Sequence, residues 1–303
     1  MELRHLRYFV ALHACRSFRR ASEQVHVTQS TLSHQIGQLE SELGARLFDR
    51  VGKRVVVTEA GDAFILHARR ALQEVDEGVR SLAAPSRQLL GELSVGATNT
   101  FNLSFIPTCV AMLRDIHPAM RLNVLELTAD GVTQHLAESR IDIGVSYRPA
   151  DESELIFEPL YDEQMVLVVS RGHRLAHRKR LRMAEMHALP VVLPPASFMT
   201  RQILDRCFAA AGATPAVVAQ MDTITPMLAY VRRSDVATVT SRMVIADDPT
   251  LVAVPLEAPS PIRTAGILWR TGNVPTPAMR SLASVIRKIG ERHVRETLGR
   301  RSK

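Results

Sequence analysis

A chain of 303 residues, 46% hydrophobic and 23% charged, is long enough for two or three cores and too apolar to be disordered. Its net charge of +7 favours a polyanionic partner, but residues 287–303 hold seven Lys or Arg against two acids, so whole-chain charge says little about DNA. Three scattered cysteines, Cys15, Cys109 and Cys207, argue against a disulfide framework and a zinc site; no apolar run reaches the ~18 residues of a membrane span.

In chain order, Leu3, Leu6, Phe9, Val10 and Ala14 predict an amphipathic helix, and Phe18, Ala21 and Val25 a shorter one. After the turn His26-Val27-Thr28, the segment Thr28–Leu43 places Leu32, Ile36, Leu39 and Leu43 on one stripe. Ser30, His34, Gly37 and Ser41 fall opposite, with Gln35 and Gln38 on the flanks. A solvated face would usually carry Glu and Lys in i,i+4 pairs. Short, nearly uncharged hydrogen-bonding groups instead suit close entry into a DNA major groove. Thr28 is the expected N-cap.

Leu47–Thr58 changes period around Gly52-Lys53, which predicts a hairpin with Arg50, Lys53 and Arg54 near its tip. Beside a recognition helix it reads as a wing on backbone phosphates. The expected groove contacts are Gln29, Ser30, Ser33 and His34; Thr31, Arg50, Lys53 and Arg54 lie nearer phosphates, and Gln35 ranks second.

A long helix is predicted from Glu59 to Ala84, with Phe64, Ala68, Ala71, Val75, Gly78 and Leu82 spaced as a coiled-coil seam and Val79 as a substitute for Gly78. Such a narrow stripe predicts dimerisation. From Gly91 strands and helices alternate in two α/β units joined by two crossings, with a cleft between them. The strand-to-helix turns offer Thr98, Asn99 and Thr100, then Ser197, Thr200 and Arg201, then Thr223 and Thr225, while Tyr147 ends a strand. Hydroxyls beside free amides, with one guanidinium, suit a small anion or polar metabolite.

The stretch LRHLRYFVALHACRSFRRASEQVHVTQSTLSHQIGQLESELGARLFDRVGKRVVVTEAG, followed by GELSVGATNTFNLSFIP, ESRIDIGVSY and EPLYDEQMVLVVSRGHRLA, strongly resembles the LysR-type transcriptional regulators. The resemblance covers essentially the whole chain. It implies an α winged helix-turn-helix domain over 1–58 and a linker and dimerisation helix with its hinge over 59–88. An α/β two-subdomain effector domain like the periplasmic solute-binding proteins would follow over 89–303, with subdomain I at 89–162 and 267–303 and subdomain II at 163–266. Implied partners are double-stranded DNA, a small-molecule effector and further copies of the chain in a homodimer or homotetramer, with RNA polymerase a further candidate.

Ser30 stands where many relatives have proline, and Ser22 where a second alanine is usual. GATNTF, ASFMTRQILDRCFAAAG and DTITPML are most similar to regulators of the cyanate-operon type. Two rivals are an enzyme and a solute-binding protein. The first lacks GxSxG, phosphate-loop, HExxH and dinucleotide motifs, and His173, His177 and His187 are not at metal-ligand spacing. The second is disfavoured by the N-terminal module and the absence of an export signal. A cytoplasmic regulator without metal, cofactor or membrane partner is the expectation.

Overall fold

The computed structural model describes residues 1–51, 54–82 and 91–301, excluding the side chains of 50, 51, 54, 70, 73, 74, 76–78, 80–82, 91 and 296–301. The chain divides into two compact units, one holding the elements up to the long helix that starts at Glu59 and one holding those from the strand that starts at Gly91. Expectations for Lys53, for the Gly78 and Leu82 side chains of the seam and for the hinge lie outside the described residues.

In the first unit, helices α1 (Leu3–Cys15), α2 (Phe18–Gln24) and α3 (Gln29–Leu43) precede a hairpin, β1 (Phe48–Val51) and β2 (Arg54–Val57), and helix α4 (Glu59–Leu82). The Ser17 hydroxyl caps α2, and Thr28 Oγ1 caps α3 by accepting the Thr31 N–H at 3.2 Å. Leu32, Ile36 and Leu39 are buried as the stripe predicts, whereas Leu43 is 36% exposed. It is the last residue before the left-handed Gly44 (φ 66°), where the chain turns away from the core.

Phe9 is fully buried, its ring 5.5 Å from Phe48 and 5.4 Å from Phe64, so α1, the hairpin and α4 meet in one cluster. The α4 stripe is therefore not left wholly for a second copy: Phe64, Ile65, Ala68 and Leu72 pack into this core, while Ala71 is exposed. Tight packing at the start of α4 depends on Gly61, where a Cβ would lie 2.3 Å from the Leu47 carbonyl oxygen.

The second unit contains two lobes. In the first, β3 (Gly91–Thr98), α5 (Asn99–Asn102), α6 (Phe105–Ile116), β4 (Met120–Leu127), α7 (Ala129–Ala137), β5 (Ile143–Tyr147) and β6 (Leu155–Gln164) run before the chain crosses. The second lobe comprises β7 (Val166–Ser170), β8 (Leu181–Arg182), β9 (Pro190–Leu193), α8 (Met199–Ala210), β10 (Ala216–Gln220), α9 (Ile224–Val231), β11 (Thr238–Thr240) and β12 (Leu251–Glu257). The chain then returns through β13 (Ile262–Arg270) and α10 (Pro277–Arg301).

The first sheet has the order β4-β3-β5-β13-β6, with β3 parallel to both its neighbours and β13 antiparallel to both of its own. The second lobe holds sheets β11-β7-β12-β8 and β10-β9. Because β13 pairs with β6 from Ile262 to Arg270, the return crossing precedes 262, and the expected boundary after 266 moves earlier. Pro107 is accommodated in the first turn of α6, where its missing N–H leaves no helical bond unmade.

Candidate nucleic-acid interface and ligand cleft

On α3, Gln29, Ser30, Thr31 and His34 are exposed, and Ser33 and Gln35 are half-buried. The first turn is preorganised: Thr28 Oγ1 lies 2.9 Å from Ser30 Oγ and 2.8 Å from Thr31 Oγ1. Gly37 meets nothing within 4 Å of where a Cβ would stand, so its role is to leave that face low rather than to permit internal packing. The hairpin is tied to the same helix by Glu40, whose Oε1 accepts the Leu47 N–H at 2.8 Å and the Phe48 N–H at 3.0 Å. Glu40 thus ties the base of the wing to the recognition helix. The backbones of Arg50 and Arg54 lie on the hairpin strands, while their side chains and all of Lys53 lie outside the described residues.

Gln35 is not a free contact residue. Its Oε1 is 2.9 Å from Nε2 of His5, a 1% exposed residue of α1. Neither His5 nor Glu40 was legible as part of the interface: His5 acts through Gln35, far along the chain, and Glu40 through the backbone N–H groups of Leu47 and Phe48, which no residue pattern marks.

In the second unit, the structure joins three of the expected cleft residues through two that the sequence did not single out. Tyr147, at the end of β5, donates its hydroxyl to Glu163 Oε2 at 3.1 Å and is hydrogen-bonded by the Thr100 side chain. Burial pushes its phenol well above the ordinary range, so it stays a neutral donor. Arg263 lies over the Tyr147 ring with its guanidinium carbon 3.7 Å from the centroid. Its Nε donates to Glu163 Oε2 at 2.8 Å and its Nη1 to Thr200 Oγ1 at 2.9 Å.

The Ser241 hydroxyl donates to the other Glu163 oxygen. Glu163 and Arg263 are 7% and 6% exposed. They sit on the two strands that flank the lobe crossings, so Thr200 and Ser241 of the second lobe are fastened to a charged pair on the first.

A second bridge joins the two lobes. Asn99 Oδ1 accepts the Ile224 N–H at 3.2 Å, replacing the cap that Thr223 does not supply to α9. Thr98 Oγ1 and Ser146 Oγ are buried without a hydrogen-bond partner. They lie one residue beyond the paired Ala97 and Val145, at the carboxyl ends of neighbouring parallel strands.

Arg201 departs from expectation: its Nε is paired with Asp205 at 2.8 Å and its Nη1 with the Pro194 carbonyl at 3.2 Å, so its guanidinium is already engaged. Ser197 and Thr225 are exposed and Thr223 is half-buried. Among the described residues, no cluster of metal-ligating side chains occurs and no helix is long and apolar enough to cross a membrane.

Comparison with known proteins gives two family matches. Residues 3–62 match the model described as bacterial regulatory helix-turn-helix protein, lysR family, and residues 86–290 match the LysR substrate binding domain. The DNA-binding transcriptional dual regulator OxyR of Escherichia coli K12 is 28% identical, covering 98% of this chain and 99% of its own. The regulator CfxR of Cupriavidus necator is 32% identical over 72% of this chain and 68% of its own. A full-length single-residue variant of OxyR from Pseudomonas aeruginosa superposes with a TM-score of 0.75 at 26% identity, covering 95% of each chain. Full-length CbnR in complex with its target DNA shares the fold at 22% identity, with a TM-score of 0.68 over 95% of this chain and 100% of that one.

Proposed function

The chain belongs to the LysR family of bacterial regulators, and from that premise we propose how its two units divide the work. It is a DNA-binding transcriptional regulator with a C-terminal effector-binding domain. In our reading residues 1–58 bind DNA, residues 59–88 link and dimerise, and the remainder senses a small molecule.

One observation carries the DNA reading: the low, uncharged face of α3 is locked to the wing by Glu40. Gln29, Ser30, Ser33 and His34 enter the major groove, while Thr31, Arg50, Lys53 and Arg54 approach phosphates. His34→Ala is expected to change the ranking of target sequences by ~1–3 kcal/mol, whereas Arg54→Ala weakens every target and lowers the salt slope. Equal losses on all sequences for both variants, measured by fluorescence anisotropy, would remove this division.

Homodimerisation uses the part of α4 beyond the core, where Ala71 and Val79 are exposed. A homotetramer and contact with RNA polymerase are proposed from the family alone.

For the effector, the unpaired hydroxyls of Thr98 and Ser146 support a small polar molecule held at the carboxyl ends of β3 and β5, beside Asn99 and Thr100. A buried polar group without a partner costs roughly 1–3 kcal/mol, which a ligand oxygen or nitrogen would recover. The anionic component of the expectation loses its Arg201 anchor to Asp205. Occupancy of this turn changes the Asn99–Ile224 bridge, and with it the balance between two lobe arrangements.

Several relatives are named hydrogen peroxide-inducible genes activators. We do not extend that stimulus to this chain through Cys109 or Cys207. Burial pushes Cys109 up to about 12 and raises Cys207 as well, whereas a reactive cysteine needs its thiolate stabilised. Micromolar hydrogen peroxide is accordingly expected to change DNA affinity through neither Cys109 nor Cys207. A peroxide-dependent shift that disappears in Cys109→Ser or Cys207→Ser would reverse this conclusion.

A further inference from the structure

We propose that His5 is a positioning residue that sets the base preference of the recognition helix by fixing which end of the Gln35 amide faces outward. The inference rests on the reading that α3 enters the major groove with Gln35 on its flank.

The hydrogen-bond chemistry settles the orientation. His5 Nδ1 receives the Glu2 backbone N–H at 3.3 Å, and a backbone N–H can only donate. Nδ1 is therefore the unprotonated nitrogen, and in a neutral imidazole Nε2 must carry the hydrogen. Nε2 then donates to Gln35 across 2.9 Å, which requires the oxygen end of the amide on that side. The flipped amide would present a donor to a donor. The His5 ring is fixed in place by its burial on α1 and by its contact with the Glu2 N–H, so the orientation is built into the core rather than chosen at the surface.

The consequence concerns the groove. With its oxygen committed inward, Gln35 offers only its amide nitrogen. That nitrogen reaches Gln38 Oε1 at a long 3.4 Å and has a second hydrogen to give. An unrestrained glutamine reads adenine bidentately, accepting from N6 and donating to N7. Gln35 held by His5 cannot make the accepting half. It matches the acceptor edges of guanine, O6 and N7, or thymine O4, and disfavours adenine, whose N6 amino group would face a donor. His5, which never touches DNA, thereby acts as a specificity determinant through Gln35.

The test is selection of binding sites from a random DNA library by the full chain and four variants, with thermal melting to verify folding. Wild type is expected to prefer guanine or thymine at one position of each half-site. Gln35→Ala should erase that preference, a change of about tenfold in relative affinity, and leave the other positions intact. His5→Leu should admit adenine at the same position by releasing the amide, with His5→Ala read instead if leucine does not fold. His5→Gln can both accept the Glu2 N–H and donate to Gln35, so it should retain the wild-type preference.

If Gln35→Ala changes no base preference, Gln35 does not read bases and the underlying assignment fails. If Gln35→Ala changes it but the His5 variants do not, the assignment stands and the positioning role is overturned. A wild-type preference for adenine at the Gln35-dependent position also overturns it.

Discussion

Replacing Glu163 with alanine is expected to lower the stability of the second unit by about 3–5 kcal/mol, the cost of leaving a buried charge without its partner. The Glu163 carboxylate accepts from Tyr147, Arg263 and Ser241, and the Arg263 guanidinium remains enclosed when the carboxylate is gone. The magnitude follows from burial: an exposed pair such as Arg148–Glu152 would contribute only ~0–1 kcal/mol. Converting both members, Glu163→Gln with Arg263→Met, should recover much of the loss, since no buried charge remains and the glutamine oxygen still accepts from Tyr147 or Ser241. Urea unfolding followed by Trp269, the chain's single tryptophan, reports on this unit. A loss under about 1 kcal/mol for Glu163→Ala would mean that the pair is solvated rather than enclosed.

Phe9→Ala should produce a comparable loss in the other unit, about 3–5 kcal/mol, because a fully buried aromatic ring is removed from between Phe48 and Phe64. Those contacts join α1 to the wing and to α4, so the cavity loosens the frame that holds α3. DNA affinity should fall with stability, while the Trp269 transition stays where it is. A circular-dichroism transition that moves without the fluorescence transition is the expected signature. Wild-type melting and wild-type DNA affinity for Phe9→Ala would show that α3 is positioned by something other than this cluster.

The first unit was largely legible because its signals are local. The Thr28 cap, the Leu32–Ile36–Leu39 stripe and the hairpin all lie within a few residues of their partners. The α4 stripe was legible but its cover was not, because periodicity identifies a buried stripe and not what lies against it: Phe64 and Ala68 turn into the chain's own core. In the second unit the alternation of strands and helices was readable, but β6 was not.

LIFEPLYDEQ contains a proline and three acids, which interrupt its strand pattern. At a sheet edge, however, Pro159 is tolerated, and the acids have distant partners: Glu158 takes Trp269 and Arg287, and Glu163 takes Arg263. The lobe-joining pair was therefore invisible, its members lying 100 residues apart. Arg201 was a different kind of miss, since Asp205 stands four residues on and the i,i+4 pair could have been foreseen.

The most direct test of DNA recognition by this chain is its affinity, at full length, for sites selected from random DNA, measured across a salt series. The expected result is an enriched pseudo-palindromic motif with half-sites about one helical turn or a multiple apart, and an affinity that falls linearly in log–log form as salt rises. Failure to enrich any motif, or binding that does not respond to salt, would contradict it.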